Sequence, residues 1–351
     1  MLDTAQLSAV EIRAAREENP EIRDREFAES LGITEAQLVA AYIGRGVTRI
    51  DSHPDKILPE IETLGEVMGL TRNESCVIER VGFYDNYHSG NHASMVLNEE
   101  IDLRIFPKFW ATAFAVERPG KDGPRRSIQV FSRTGFAVHK IHLRDGSDLD
   151  AWAALIDKLR HVDQSDTLDV AERKAPEAAK SVPEKADILR TEWDKMTDTH
   201  QFQKLTHKLK MNRLGAYRIA GAPYVQPMDN TATDLALRLL AERQIAVMIF
   251  VGNRGCIQIH GGTFEKVVPM GPWINIMDER FNLHLRGDHL AETYVVTKPT
   301  QRGPAVSLEA FDAEGRIVLQ IFPDRRAGEE NVAAWNQLIP ELPRPKREAA
   351  E

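Results

Sequence analysis

Cysteine is scarce: the 351 residues hold two, Cys76 and Cys256, far apart and in no CxxC arrangement. That leaves no basis for a zinc knuckle or for a prosthetic group attached through paired thiols, and it fits a reducing compartment. Long apolar runs are also missing. No stretch approaches the ~20 residues that a membrane-crossing helix needs, and the N-terminus lacks the basic-then-apolar order of a signal peptide, so the expected location is cytoplasmic and not membrane-embedded. An excess of positive charge is absent too. The net charge of −8 argues against general nucleic-acid binding while leaving room for local cationic pockets. What is present, 42% hydrophobic and 28% charged residues, is ordinary for a soluble globular protein long enough for two domains or one large one.

The chain begins with helical patterns at Ala5 to Glu18 and Arg23 to Leu31. A turn at Gly32-Ile33 follows, and then Thr34-Glu35-Ala36-Gln37 enters a further helix through a capping-box pattern. On paper this resembles a DNA-binding helix-turn-helix, but the second helix, EAQLVAAYIG, offers no side chains that read bases or grip phosphates. A regulator is therefore the remote alternative. Lys56 to Met68 continues as helix. From Ser75 the texture becomes strand, with CVIERVGFY, SMVLNEEIDLRIF, WATAFAVE, RSIQVFS and FAVHKIHL separated by turn residues. A helix from Asp148 to Leu159 closes this half.

Residues 166–186 are charged and rich in Ala and Pro, without an apolar face, and read as a linker. Beyond it the first half repeats. Ile101–Ile141 set against Phe281–Ile321 at a constant offset of 180 gives eleven identities in 41 ungapped positions, among them Leu103, Gly123, Ser127 and Ile141. The expected fold is therefore α+β, a tandem duplication in which each repeat has N-terminal helices and a large antiparallel β-sheet. The two repeats, residues 1–165 and 187–342, are expected to pack as a pseudo-symmetric pair, and residues 343–351 to form a disordered tail. Residues special to one copy are candidates for function. Arg104 answers His284, Arg118 answers Lys298, and nothing in the first half answers His200.

His200 lies in WDKMTDTHQFQKLTHKLKMNRLGAYRIAG, from Trp193 to Gly221. Thr197, Asp198 and Thr199 are N-cap types ahead of an apolar stripe at Phe202, Leu205 and Leu209, so a helix is expected near Asp198 with His200 in its first turn. At 100° per residue His200 and His207 share a line about 160° from that stripe. Two readings stay open, a solvated histidine on a polar face or a metal ligand projecting into a cleft. A break at Met211-Asn212, with Asn212 capping a helix from Arg213 to Ala220, brings Arg213 within reach of the same cavity.

TDTHQFQKLTHKLKMNRLGAYRIAG, IDLRIFPKFW near residue 105 and FNLHLRGDHLAETYVVTKPT near residue 290 together resemble the HemS-type hemin-degrading factors of bacterial haem uptake. The resemblance runs from about Glu18 to Leu342. It implies one haem b per chain, with His200 on the iron, Arg213, Lys298 and Arg325 facing the propionates, and Arg104 on the distal side as a donor rather than a ligand, since a guanidinium does not deprotonate. One departure stands out. Where the family has a tyrosine in a segment of the YGQR type, this chain has Phe322-Pro323-Asp324-Arg325, which removes a hydroxyl from near the propionates. Taken alone, Lys298 and Arg325 are solvated strand-end cations and Arg104 an outward strand residue. With the resemblance, the implied function is to bind haem and degrade it to release iron; the alternative is a carrier that hands haem to a separate oxygenase. Implied partners are an inner-membrane haem ABC transporter and a haem oxygenase or electron donor. Motifs alone do not choose between enzyme and carrier.

Overall fold

A computed structural model of the chain describes residues 7–345. The chain forms two compact units. The first takes the residues up to Arg72, Glu79–Lys174 and Gly252–Gln258; the second takes Asn73–Ile78, Ala175–Val251 and the residues from Ile259 onward. Each unit is thus completed by a short segment from the opposite half of the sequence.

In the first half the helices are α1 (Ala9–Glu18), α2 (Asp24–Ser30), α3 (Glu35–Ala40), α4 (Pro54–Glu62) and α5 (Leu149–Leu159). Strands β1 (Val47–Ile50), β2 (Val67–Arg72) and β3 (Cys76–Gly82) come first. They are followed by β4 (Tyr87–His88), β5 (Ser94–Leu97), β6 (Asp102–Ile105), β7 (Thr112–Arg118), β8 (Arg125–Phe131) and β9 (Ala137–Leu143). Ser8 with Glu11, and Thr34 with Gln37, close reciprocal capping boxes at α1 and α3. Strands β1-β7-β8-β9-β2 run antiparallel in that order. Alternation along β7 sends Ala113 and Ala115 into a core with α4 and α5, and Phe114 and Val116 into one with α3. Val67–Arg72 was expected in part as the tail of a helix; it is strand, with its alternate residues buried. The expected helical residues before Leu7 lie outside the described residues.

The second half has helices α6 (Ala186–Asp194), α7 (Gln201–Leu209), α8 (Arg213–Ala220), α9 (Ala232–Arg243) and α10 (Glu329–Leu338). Its strands are β10 (Val225–Met228), β11 (Val247–Gly252), β12 (Cys256–Gly262), β13 (Val267–Met270) and β14 (Trp273–Met277). Then come β15 (Phe281–Arg286), β16 (Leu290–Lys298), β17 (Ala305–Asp312) and β18 (Ile317–Pro323). The order β10-β16-β17-β18-β11 repeats that of the first half. One face, with Val295, Leu308 and Ile321, packs under α9 and α10. The other, with Tyr294, Val296 and Phe311, packs under α6, α7 and α8.

The duplication is therefore real in three dimensions: β2 and β11, β3 and β12, and β9 and β18 have equal lengths and start 180 residues apart. Cys76 and Cys256 are also 180 apart, and both are buried cysteines outside any disulfide. The segment between the halves is not a free tether at its end. Asn212 accepts from Lys180 N at 2.9 Å, donates to Ala178 O at 2.8 Å, and its backbone N–H donates to Lys180 O. A Cβ on Gly215 would lie 1.9 Å from the Lys180 carbonyl oxygen, which is why glycine stands inside α8. Of the expected tail at 343–351, residues 343–345 are described, with the Pro343 carbonyl accepting from Asp229 N and Arg344 donating to Gln226 at 2.7 Å, while residues 346–351 lie outside the described residues. Among the described residues no helix is long and apolar enough to cross a membrane.

Candidate functional site

His200 stands at the N-cap of α7 rather than inside its first turn. The reason is local. Asp198 accepts the His200 backbone N–H at 2.7 Å, two residues on, so residues 197–200 turn and the helix starts at Gln201. The same Asp198 oxygen is 2.6 Å from His200 Nδ1. Asp198 thus fixes the ring, and the proton on Nδ1 leaves Nε2 as the free acceptor. The His200 side chain is 95% exposed. His207, further along the helix, is exposed as well.

The expected break is present. Lys210 adopts the left-handed region at φ 62, Asn212 caps α8 by accepting from Gly215 N at 2.9 Å, and Gly221, also at positive φ, ends it. Arg213, the first residue of α8, donates through Nη1 to Glu309 Oε2 and to Tyr217 Oη, both at 3.1 Å. Lys298, at the end of β16, donates to Glu309 Oε1 at 2.7 Å and to Tyr217 Oη at 2.8 Å. Both cations also lie over the Phe202 ring, at 5.8 Å for Arg213 and 5.1 Å for Lys298. Phe202 belongs to the helix that His200 opens, so α7 and the cation cluster are in contact.

This cluster is enclosed. Glu309 is fully buried and the Lys298 side chain is 2% exposed, while 36% of the Arg213 side chain is accessible. Burial alone would raise the Glu309 carboxyl, but Lys298 and Arg213 outweigh it and hold it down at about 2. Burial pulls Lys298 down to about 8 despite the attraction of Glu309. Burial and the neighbouring carboxylate keep the Tyr217 hydroxyl protonated well above its ordinary range. At neutral pH the cluster holds two cations and one anion.

Strand register sets what lies beside it. Tyr294, Glu309, Gln320 and Phe250 stand opposite one another across β16, β17, β18 and β11. Phe322, paired with Met248, is two residues further on the same face, and its ring meets Phe250 edge-on at 5.5 Å. Met248, Phe250 and Phe322 are half-buried. Arg325 is engaged elsewhere, donating to the carbonyls of Arg302 and Pro304 at 2.6 Å each, where it ties down the turn between β16 and β17. Arg104 belongs to the first unit. It sits on β6, ion-paired with Asp102 and donating to Leu103 O at 3.1 Å, with its side chain 33% exposed.

The structure therefore brings Arg213 and Lys298 together near the helix of His200, and leaves Arg325 on a separate task. Glu309 and Tyr217 were not anticipated. Comparison at the offset of 180 holds a signal for Glu309, because the first copy has Gln129 there. Asp198 was anticipated as a cap and not as a partner of the imidazole ring.

The duplicated α+β scaffold thus carries, in its second copy, a histidine at a helix terminus backed by a carboxylate, a cation cluster and an apolar sheet face. The chain belongs to the family described as haemin-degrading HemS/ChuX, whose domain matches residues 32–159 and 210–342. It is 36% identical over 329 residues to the hemin transport protein HmuS of Yersinia pestis, covering 93% of this chain and 95% of that one. Holo-PhuS, a heme-binding protein from Pseudomonas aeruginosa, is similar with a TM-score of 0.91 and 38% identity, over 96% of this chain and 99% of that one. ChuS, described as an E. coli heme oxygenase, is similar at a TM-score of 0.84 and 33% identity, over 94% and 99% of the two chains.

Proposed function

We propose that this chain binds one haem in the cytoplasm, with His200 as the protein ligand to iron, and degrades it to release the metal. The observation that carries the reading is the His200 ring itself: Nδ1 is held by Asp198, and the side chain is otherwise exposed. A carboxylate behind a histidine fixes the tautomer and raises the basicity of the remaining nitrogen, the usual arrangement for a metal-bound imidazole. Arg213, the cation with accessible surface, suits a carboxylate on the ligand. Met248, Phe250 and Phe322 supply an apolar surface of the kind a flat macrocycle needs. Haem, when bound, brings the iron at which oxygen chemistry on the ring takes place. The chain's own part is to hold the iron at Nε2 of His200, orient the carboxylates and shield the ring. Arg104 is assigned, on the resemblance, to the fate of bound haem rather than to its capture.

Carriage to a separate oxygenase is the second reading, favoured by relatives named as hemin transport proteins. One experiment separates the two. Haem is loaded anaerobically, and a defined reductant and oxygen are then added in the presence of catalase. Loss of the haem absorption with iron release, surviving catalase, is the expected result. A chromophore that persists until an acceptor protein removes it identifies a carrier.

A further inference from the structure

The interior of the first unit holds a line of polar groups that the second unit does without. Tyr84 Oη lies 2.6 Å from His139 Nε2, His139 Nδ1 lies 2.8 Å from Thr71 Oγ1, and Thr71 donates on to Cys256 Sγ at 3.6 Å. All four residues are buried. At the offset of 180 that relates β2 to β11 and β9 to β18, Tyr84, His139 and Thr71 are answered by Phe264, Leu319 and Val251, which lie together in an apolar core. The fold therefore does not require the polar groups. Room is made for them: a Cβ on Gly69 would lie 2.3 Å from the Tyr84 hydroxyl oxygen, and the second unit has Ile249 at that place. One arrangement of hydrogens satisfies every member of the line. The phenol donates to Nε2, Nδ1–H donates to Thr71, and the threonine hydroxyl donates to the sulfur, so the unprotonated nitrogen of a neutral imidazole faces the phenolic proton.

We propose that Tyr84 and His139 form a proton-coupled electron donor, a site in the first unit that absorbs one oxidising equivalent. Tyr84 passes one electron to a peroxide-derived one-electron oxidant, which is reduced by that electron. In the same step the phenolic O–H bond breaks and its proton crosses 2.6 Å to His139 Nε2, leaving a neutral phenoxyl radical beside an imidazolium that donates to Tyr84 and to Thr71. A small reductant such as ascorbate returns the electron, and the proton moves back from Nε2 to the phenol oxygen. Burial makes His139 a weak base, pushed down to about 3, but a phenol that has lost an electron is a far stronger acid, so the transfer runs downhill. Phe264 and Leu319 have neither the proton nor its acceptor. No step uses haem, so the proposal stands or falls apart from the haem reading.

The test oxidises the full chain, free of haem and carrying isotope-labelled histidine, with photogenerated tris(bipyridine)ruthenium(III). Radical formation is followed by transient absorption, and the frozen product is examined by electron–nuclear double resonance in light and heavy water. Tyr84→Phe and His139→Leu install residues that the second unit already carries, and the thermal midpoint records folding. Wild type should give a phenoxyl radical coupled to one exchangeable proton and to a histidine nitrogen. Tyr84→Phe should lose that species while keeping the radicals of other tyrosines. His139→Leu should form the Tyr84 radical about 10²-fold more slowly, the loss usual when a positioned proton acceptor is removed. The same histidine-coupled radical in Tyr84→Phe, or an undiminished rate in His139→Leu, overturns the proposal. Should a variant not fold, the wild-type spectrum decides: a radical without histidine coupling, or no phenoxyl radical at all, overturns it, because the proton then did not pass to His139.

Discussion

Asp198 is the residue whose contribution is most readily isolated, because it meets the His200 ring at the protein surface. Asp198→Asn keeps the size and can still accept the backbone N–H, but it weakens the charge-assisted bond to Nδ1. Haem affinity should fall about 10- to 100-fold, the usual cost of losing a partner behind a metal ligand, with the unfolding midpoint in urea unchanged. Wild-type affinity in Asp198→Asn would make Asp198 a cap and nothing more. Arg104→Ala should leave affinity within about tenfold of wild type and slow ring opening by something like 10²-fold; unchanged degradation returns Arg104 to an ordinary strand residue. At this scale the sequence was informative about isolated polar residues and silent about buried pairs. His200 and Arg213 are conspicuous in a motif, whereas Glu309 sits in the strand segment SLEAFD, where an acid reads as outward and solvated. Its partners lie 11 and 96 residues away in sequence, and no local pattern announces such a meeting.

Among the elements, α8 governs the site because its first residue is Arg213 and its cap, Asn212, also ties down residues 178–180. Asn212→Ala removes all of these bonds and should cost about 2 kcal/mol, the upper end for an N-cap. Gly215→Ala offers a sharper check. In an exposed helix this change stabilises by up to ~1 kcal/mol, but here the new Cβ runs into the Lys180 carbonyl. We expect destabilisation of about 1–3 kcal/mol, the range for overpacking, with faster proteolysis between residues 172 and 186; a stabilised protein with an intact segment would contradict the packing. The helix break was legible in advance because capping chemistry is local: Asn212 and Gly221 act on their own neighbours. The start of α7 was misplaced by three residues because Asp198 spends its carboxylate on His200, two residues on, instead of on a later turn. Strand β2 was read partly as helix because Val67–Arg72 follows a helix after only a short loop and carries two glycine-flanked apolar residues that suit either period.

For the whole molecule, the duplication was the most legible feature, since an ungapped offset of 180 carries β2, β3 and β9 onto β11, β12 and β18. The exchange of residues 73–78 and 252–258 between the units was not, because a periodic pattern does not say which copy a strand completes. Acid should affect the units at different pH. In the first unit His139 is buried, with Nδ1 2.8 Å from Thr71 Oγ1 and Nε2 2.6 Å from Tyr84 Oη, and burial together with His142 pushes it down to about 3. The unfolded chain therefore takes up a proton near pH 6.5 that the folded unit refuses until about pH 3, so stability falls across that window as pH drops. Glu309, held at about 2, adds a loss in the second unit between pH 4.5 and 2. His139→Gln should flatten the upper window by up to ~1.4 kcal/mol per pH unit, measured by urea unfolding at several pH values. An unaltered slope would mean that His139 is not the group that refuses the proton.

The most direct measurement is a haem titration of wild type, His200→Ala and His207→Ala, followed in the Soret region with and without added imidazole. Wild type should saturate at one haem per chain. His200→Ala should lose the native band and recover it with imidazole, and His207→Ala should match wild type. Loss of the native band in His207→Ala with retention in His200→Ala would contradict the account.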